Sequence, residues 1–142
     1  MVVLLTHAAA TLVMMGVILV VQLVHYPLFQ YVGAARYDVY QAEHMRRITW
    51  IVAPAMTLEL GTAVWLVVAP PTGVPTGVVW VGLALIVLIW ASTGLVHVPI
   101  HTRLTNGFDP GAHRRLVRTN WIRTIAWGLR AVLVLWMVAV RA

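Results

Sequence analysis

Four long runs of apolar residues, separated by short polar or proline-rich segments, set the pattern of this chain. They cover about residues 2–24, 48–69, 77–96 and 121–140. Each run has about the 20 residues that an α-helix needs to cross the hydrocarbon core of a membrane. The chain is 61% hydrophobic and 10% charged, and a soluble domain of 142 residues could not bury so much apolar surface. The pattern predicts an all-α fold, a bundle of four transmembrane helices in a single membrane domain over residues 1–142.

Two short sequence phrases occur twice along the chain. The first is His25-x-Pro27, which recurs as His97-x-Pro99, 72 residues later. The second, Arg-x-(Thr/Asn)-Trp-Ile, begins at positions 47 and 118, which are 71 residues apart. In both halves the first phrase ends one helix and the second opens the next. The repetition predicts two similar helical hairpins, residues 1–70 and 77–142, related by a pseudo-two-fold axis along the membrane normal.

The basic residues indicate how the helices would be oriented. All ten are arginine, and seven of them lie in the connection between the first and second runs or between the third and fourth. Because positively charged loops stay in the cytoplasm, we expect a multi-pass protein of the cell inner membrane with both termini outside the cytoplasm. Arginines that border membrane helices also favour anionic membrane lipid as a partner, and no nucleic acid, despite the net charge of +6.

Four histidines would gather at the cytoplasmic end of such a bundle: His25, His44, His97 and His101. His97 and His101 are four residues apart and share a helix face, and the first hairpin brings His25 level with His44. Neutral imidazole is the commonest metal ligand in proteins, so the four predict a transition metal ion, Fe, Cu or Zn, with Glu43 or Gln22 supporting the ligands. Two alternatives remain open: haem b with His25 and His97 as axial ligands, and a hydrogen-bonded polar plug without a cofactor. The absence of cysteine excludes thiolate sites.

Two charged residues lie deep within apolar runs. Glu59 and Arg130 stand 71 residues apart, at equivalent places in the two halves. An unpaired charge at that depth costs several kcal/mol, so we expect the two side chains to form an ion pair. One possibility is that the pair has a structural role alone and fixes the register of the helices. The other is that it contacts a proton or a substrate, and for that reason both residues are catalytic candidates.

A further polar stripe on the fourth predicted helix carries Asn120 and Arg123, with Trp127 on the same face. Arg123 could bind an anionic head group or a quinone-like oxygen, or it could extend to the membrane surface. Trp90 shares a face with His97 on the third predicted helix. We therefore expect Trp90, Asn120 and Trp127 to line a cofactor or substrate cavity, with Arg123 as a third catalytic candidate.

The two remaining histidines are weaker candidates. His7 stands near the start of the first run, which predicts a position close to the outer surface. His113 stands in a short basic segment, which predicts an exposed side chain. We expect neither histidine to belong to the site.

One stretch of sequence supports a resemblance to known proteins. It resembles a group of small, uncharacterised bacterial integral membrane proteins with four helices, through His25-Tyr26-Pro27-Leu28-Phe29, Val32-Gly33, Tyr40 and His44. More remotely, the chain is similar to anthrone-oxygenase-like membrane proteins, which share its size, its four-helix layout and a Pro–Phe end to the first helix. That family is implicated in cofactor-poor oxygenation of aromatic polyketides.

These features lead to two functional hypotheses. The first is an integral membrane oxidoreductase-like protein with a His-rich metal site, acting on a hydrophobic small molecule that enters from the lipid. The second is a non-catalytic accessory subunit that packs into a larger membrane complex or a homo-oligomer. Bound metal would favour the first hypothesis, and a partner that covers the tryptophan-rich outer faces would favour the second.

Overall fold

The computed structural model describes residues 1–141, which form four long helices. Each helix is long and apolar enough to cross a membrane. Over these residues the structure contains no β-strand, which confirms the predicted all-α fold. The four helices are α1 (Val2–Tyr31), α2 (Ala34–Val68), α3 (Thr76–Leu104) and α4 (Pro110–Arg141).

Two of the helices change their hydrogen-bonding pattern in front of a proline. α1 is regular over Val2–Val20 and α3 over Thr76–Ser92, and each then forms a π-helical turn, Val21–His25 or Thr93–His97. In these turns the amides of Tyr26 and Val98 bond to carbonyls five residues earlier. The wider turn makes room for the rings of Pro27 and Pro99, which would clash in a regular helix.

The remaining helical segments are short turns at the ends of the long helices. After its π-helical turn, α1 ends with Tyr26–Leu28 in α-helical and Phe29–Tyr31 in 3-10 conformation, and α3 ends with Val98–Leu104 in α-helical conformation. α2 opens with the 3-10 turn Ala34–Arg36 and is then α-helical over Tyr37–Val68. The polar segment 37–47 is therefore helical, as its sequence predicts.

The helices pack as a four-membered ring. α1 packs against α2 and α4, and α3 packs against the same two helices, so α1 and α3 occupy opposite corners. Phe29, Leu104 and Trp127 are fully buried in the core of the half that contains the π-helical turns. A second cluster around Leu4 and Val134 fills the other half. Large apolar side chains also cover the outside of all four helices, among them Leu23, Trp50, Leu95 and Val132.

The connections between helices use local turn chemistry. Gly73 in the α2–α3 connection and Gly107 in the α3–α4 connection have positive φ angles of 81° and 126°, which favour glycine. Asp109 precedes α4, and its Oδ1 accepts hydrogen bonds from the amides of Gly111 and Ala112 at 2.8 and 2.9 Å. It also forms an ion pair with Arg103, which ties the end of α3 to the start of α4.

Candidate functional site

A cavity of about 230 Å³ lies between α2 and α3, with α1 and α4 behind it. Most of its wall is apolar, and its innermost part is formed by the buried side chains of Met14, Ile18 and Met56. Trp90 and Trp127 also line it, as the sequence predicts, whereas Asn120 does not. An apolar cavity with a few convergent polar groups is the common form of a small-molecule site.

The cavity opens sideways, through the gap between α2 and α3. Thr49 and Ala53 on α2 and Trp90 and Val98 on α3 line the cavity and are also exposed on the outside of the bundle. Trp90 and Val98 are 40% and 47% exposed. The opening therefore lies among the exposed apolar side chains of the helices.

The polar part of the cavity wall lies at the end that carries the π-helical turns. It includes Tyr26, His44, His97, His101 and Arg123, and Thr49 and Thr93 also line the cavity. Three of the four predicted metal ligands thus line one cavity, together with the predicted catalytic candidate Arg123. The fourth histidine, His25, does not line the cavity but lies behind His44.

Arg123 is the charged group of this cavity, and it is only 6% exposed. Its Nε donates to Asn120 Oδ1 at 3.0 Å, and its Nη1 donates to Thr93 Oγ1 at 3.3 Å. Asn120 in turn donates through Nδ2 to Gln22 Oε1 at 2.9 Å, so the predicted residues Gln22, Asn120 and Arg123 form one network. The guanidinium therefore does not extend to the surface, which was the alternative left open by the sequence.

No carboxylate within residues 1–141 pairs with Arg123. The chain has four acidic residues. Three of them pair with other arginines: Glu43 with Arg46 and Arg47, Glu59 with Arg130, and Asp109 with Arg103. The fourth, Asp38, lies in the first turn of the α-helical part of α2. The hydrogen-bond partners of Arg123 are neutral, so its charge has no counterion among the residues described.

The histidines form hydrogen bonds with one another and with their neighbours. His25 Nε2 lies 2.8 Å from His44 Nδ1, which confirms that the first hairpin brings these residues to one level. The rings of His44 and His101 have centroids 5.7 Å apart. His101 Nε2 lies 2.8 Å from the Tyr26 hydroxyl, and Nδ1 lies 2.8 Å from Gln41 Nε2. Both ring nitrogens of His101 are thus engaged.

His97 is oriented by its own π-helical turn. Its Nδ1 lies 2.9 Å from the carbonyl oxygen of Ser92, which can only accept, so Nδ1 carries the proton. In the neutral ring Nε2 is then an acceptor. Thr119 Oγ1 lies 3.5 Å from Nε2, which is a long contact, so Nε2 can still accept a hydrogen bond from a ligand in the cavity.

The histidines do not form a recognisable metal centre. Over residues 1–141, no group of three or more His, Cys, Asp or Glu side chains is arranged to hold a metal ion. Metal binding at His44, His97 and His101 would require His101 to give up a hydrogen bond to Tyr26 or Gln41. The metal ion and the haem b therefore stay predictions from the sequence.

Glu59 and Arg130 form the expected buried ion pair. Arg130 Nε lies 3.0 Å from Glu59 Oε1, and both side chains are 2% exposed. Glu59 also accepts hydrogen bonds from Thr11 Oγ1 at 2.7 Å and from Trp127 Nε1 at 3.0 Å. Arg130 Nη1 donates to the carbonyl of Gly82 on α3. The pair thus links all four helices, and Trp127 connects it to the cavity.

The exposed side chain predicted for His113 is wrong, and His7 is buried as well. His7 is 3% exposed, with Nε2 3.1 Å from Arg130 Nη2 and Nδ1 2.8 Å from Thr62 Oγ1, so it belongs to the network around the ion pair. His113 is 6% exposed, with Nε2 2.8 Å from the carbonyl oxygen of Tyr26. Both rings are buried because each finds hydrogen-bond partners on another helix.

Tyr26 is a site residue that the sequence pattern did not predict. Its hydroxyl lies 2.8 Å from His101 Nε2 and accepts from Arg123 Nη2 at 3.4 Å, so it joins the histidines to the arginine. Tyr26 stands four residues after Gln22, and this spacing places both residues on one helix face, which could have identified Tyr26.

Comparison with known proteins assigns no function to this site. The chain matches no family model, no curated protein and no solved structure. The resemblance to four-helix and anthrone-oxygenase-like membrane proteins therefore stays a prediction.

Proposed function

We propose that this chain is a multi-pass integral membrane protein that binds a lipid-soluble small molecule in the cavity between α2 and α3. The observation that carries the proposal is the cavity itself, which is apolar, opens sideways and contains a buried arginine. A lateral opening gives a hydrophobic molecule direct access from the lipid without passage through water.

Membrane insertion is supported by the outer surface of the bundle. Apolar side chains are exposed along all four helices, with Leu95 at 78%, Trp50 at 77% and Val132 at 68% exposed. A soluble bundle would place polar residues at such positions, because exposed apolar patches lead to association. Lipid would cover this surface and confine the polar groups to the interior.

The proposed orientation places the polar end of the cavity at the cytoplasmic side of the cell inner membrane, with both termini outside. The arginines of the α1–α2 and α3–α4 connections support it through the positive-inside rule. The pseudo-two-fold relation between the hairpins is also a proposal. The π-helical turns Val21–His25 and Thr93–His97, each in front of a proline, support it.

The oxidoreductase-like activity predicted from the sequence would use the same cavity for its substrate, with His97 and His101 beside it. It stays a prediction, since the polar end supplies hydrogen-bonding groups and a positive charge but no recognisable metal ligand set over residues 1–141. An accessory subunit, which is the alternative, would need a partner protein on its outer faces. It would not need a ligand in the cavity.

Photolabelling tests the proposed binding. The purified protein is incubated in lipid nanodiscs with a neutral long-chain alcohol that carries a photoreactive diazirine, and labelled peptides are mapped by mass spectrometry. We expect saturable labelling at Met14, Ile18 and Met56, which excess unlabelled alcohol suppresses. Labelling confined to outward residues such as Val132, and not suppressed by competitor, would contradict the proposal.

A matched pair of variants controls for nonspecific insertion. Ala53→Trp adds an indole at the opening of the cavity, whereas Val64→Trp adds the same group to an exposed position of α2 that does not line the cavity. The first variant should lose the saturable labelling and the second should retain it. Equal labelling of the two variants would show that the cavity is not the binding site.

A further inference from the structure

We propose that the ligand of this cavity is a single-chain amphiphile with an anionic head group, a carboxylate or a phosphate, which Arg123 binds. The proposal rests on the proposed function, because it names the class of molecule that the lateral cavity takes.

The first argument comes from two arginines on one helix. Arg123 and Arg130 are seven residues apart on α4, and they are 6% and 2% exposed. Arg130 has Glu59 as its counterion at 3.0 Å. Arg123 lines the cavity and has no carboxylate partner among residues 1–141. A buried charge is stable only when it is paired and hydrogen-bonded, so the missing negative charge would come from the molecule in the cavity.

The hydrogen-bonding groups around Arg123 suit such a head group. Tyr26, Thr93 and Asn120 hold the guanidinium in place through neutral oxygens. These contacts engage four of the five guanidinium N–H groups and leave one on Nη1. A carboxylate or a phosphate would take this donor and replace one of the two long contacts, to Thr93 at 3.3 Å or to Tyr26 at 3.4 Å. None of the residues that line the cavity is acidic, so the cavity wall offers no repulsion to an anion.

The shape of the cavity sets the orientation of the ligand. The polar residues lie at the end with the π-helical turns, whereas Met14, Met56 and Trp127 line the part toward the middle of the bundle. A head group on Arg123 would therefore direct its chain toward the middle of the membrane, as lipids of the same leaflet do.

The size of the cavity restricts the ligand to a slender molecule. Its volume of about 230 Å³ is below the roughly 300 Å³ at which pockets begin to enclose drug-sized ligands. The cavity can hold the head group and the first part of a chain, and the rest would pass through the α2–α3 gap. The enclosed volume suits one chain rather than the two chains of a phospholipid.

Competition binding tests the charge of the head group. Wild-type protein in nanodiscs is incubated with radiolabelled palmitate, which is then displaced by unlabelled palmitate, hexadecyl phosphate, hexadecanol or methyl palmitate. We expect one of the two anions to compete at least about tenfold better than the neutral compounds. The better anion identifies the head group, and equal competition by methyl palmitate or hexadecanol would overturn the proposal.

Variants assign the preference to Arg123. Arg123→Gln should remove the advantage of the anions over the neutral compounds, whereas Arg123→Lys should retain part of it. Arg118→Gln is the matched control, because Arg118 lies on the same helix and is exposed. A folded Arg123→Gln protein that still prefers anions would refute the role of Arg123.

The two proposals fail in different ways. If Arg123→Gln does not fold, as judged by circular dichroism and gel filtration, the comparison of acid and ester on the wild-type protein still decides the charge of the ligand. Saturable photolabelling by the neutral alcohol without preference for anions would overturn only the head-group proposal. No saturable binding of any of these compounds would overturn the proposed function as well.

Discussion

Removing the carboxylate of Glu59 is the most severe single change that the structure predicts. Glu59→Ala leaves three donors without their acceptor: Arg130 Nε at 3.0 Å, Thr11 Oγ1 at 2.7 Å and Trp127 Nε1 at 3.0 Å. Breaking a buried ion pair by removing one partner costs about 3–5 kcal/mol. Hydrogen bonds between membrane helices average roughly 0.6 kcal/mol each, so we expect a total loss of about 4–6 kcal/mol.

A double-mutant cycle separates the ion pair from the rest of the network. Glu59→Gln and Arg130→Gln are made singly and together, and unfolding in mixed micelles with increasing dodecyl sulfate is followed by far-UV circular dichroism. The double variant should be more stable than the sum of the single losses implies, because neither partner is left with an unpaired charge.

Glu43 is a matched control for this experiment. It lies on the same helix and pairs with Arg46 and Arg47, but its side chain is 44% exposed. Glu43→Ala should change stability little, because water solvates the arginines that it releases. Small losses from Glu59→Ala and Arg130→Gln, or strict additivity in the cycle, would refute the assigned role of the buried pair.

Three further predictions concern topology, metal and pH. Reporter fusions at Gly73 and Gly107 should report opposite sides of the membrane, and the same side for both would contradict the topology. If the metal prediction holds, the purified protein contains about one equivalent of Fe, Cu or Zn by elemental analysis, and His97→Ala reduces it; a metal-free protein that still binds ligand would contradict it. Asp109→Ala should destabilise the protein at neutral pH. Hydrogen bonding, first from the amide of Ala112, lowers the pKa of Asp109. This contribution is therefore full above about pH 4 and is lost as the pH falls through the lowered pKa, so a wild-type advantage that persists in strong acid would contradict it.

The sequence predicted correctly the structural features that depend on residue spacing along one helix or one hairpin. The lengths of the apolar runs predicted four helices. The similar distances of His25 and His44 from the turn of the first hairpin predicted that they lie at one level. The 71-residue spacing of Glu59 and Arg130 predicted their contact. The lack of a carboxylate for Arg123 was also open to prediction, because the chain has only four acidic residues.

The features that the sequence did not reveal depend on contacts between helices. His113 is buried because the carbonyl of Tyr26 lies next to it, and that partner is distant in sequence. The π-helical turns change which residues face the interior, and a helical wheel with a constant period cannot represent them. The cavity is lined by residues from all four helices, so only the packed bundle shows it.

Native mass spectrometry shows whether a small amphiphile occupies the lateral cavity. Wild-type protein and the Ala53→Trp variant are extracted from membranes in mild detergent and ionised intact. We expect one additional molecule of a single, defined mass on the wild-type protein, released on collisional heating, and its absence from Ala53→Trp. A wild-type protein without a stoichiometric ligand, or the same ligand on both proteins, would refute the occupancy of the cavity.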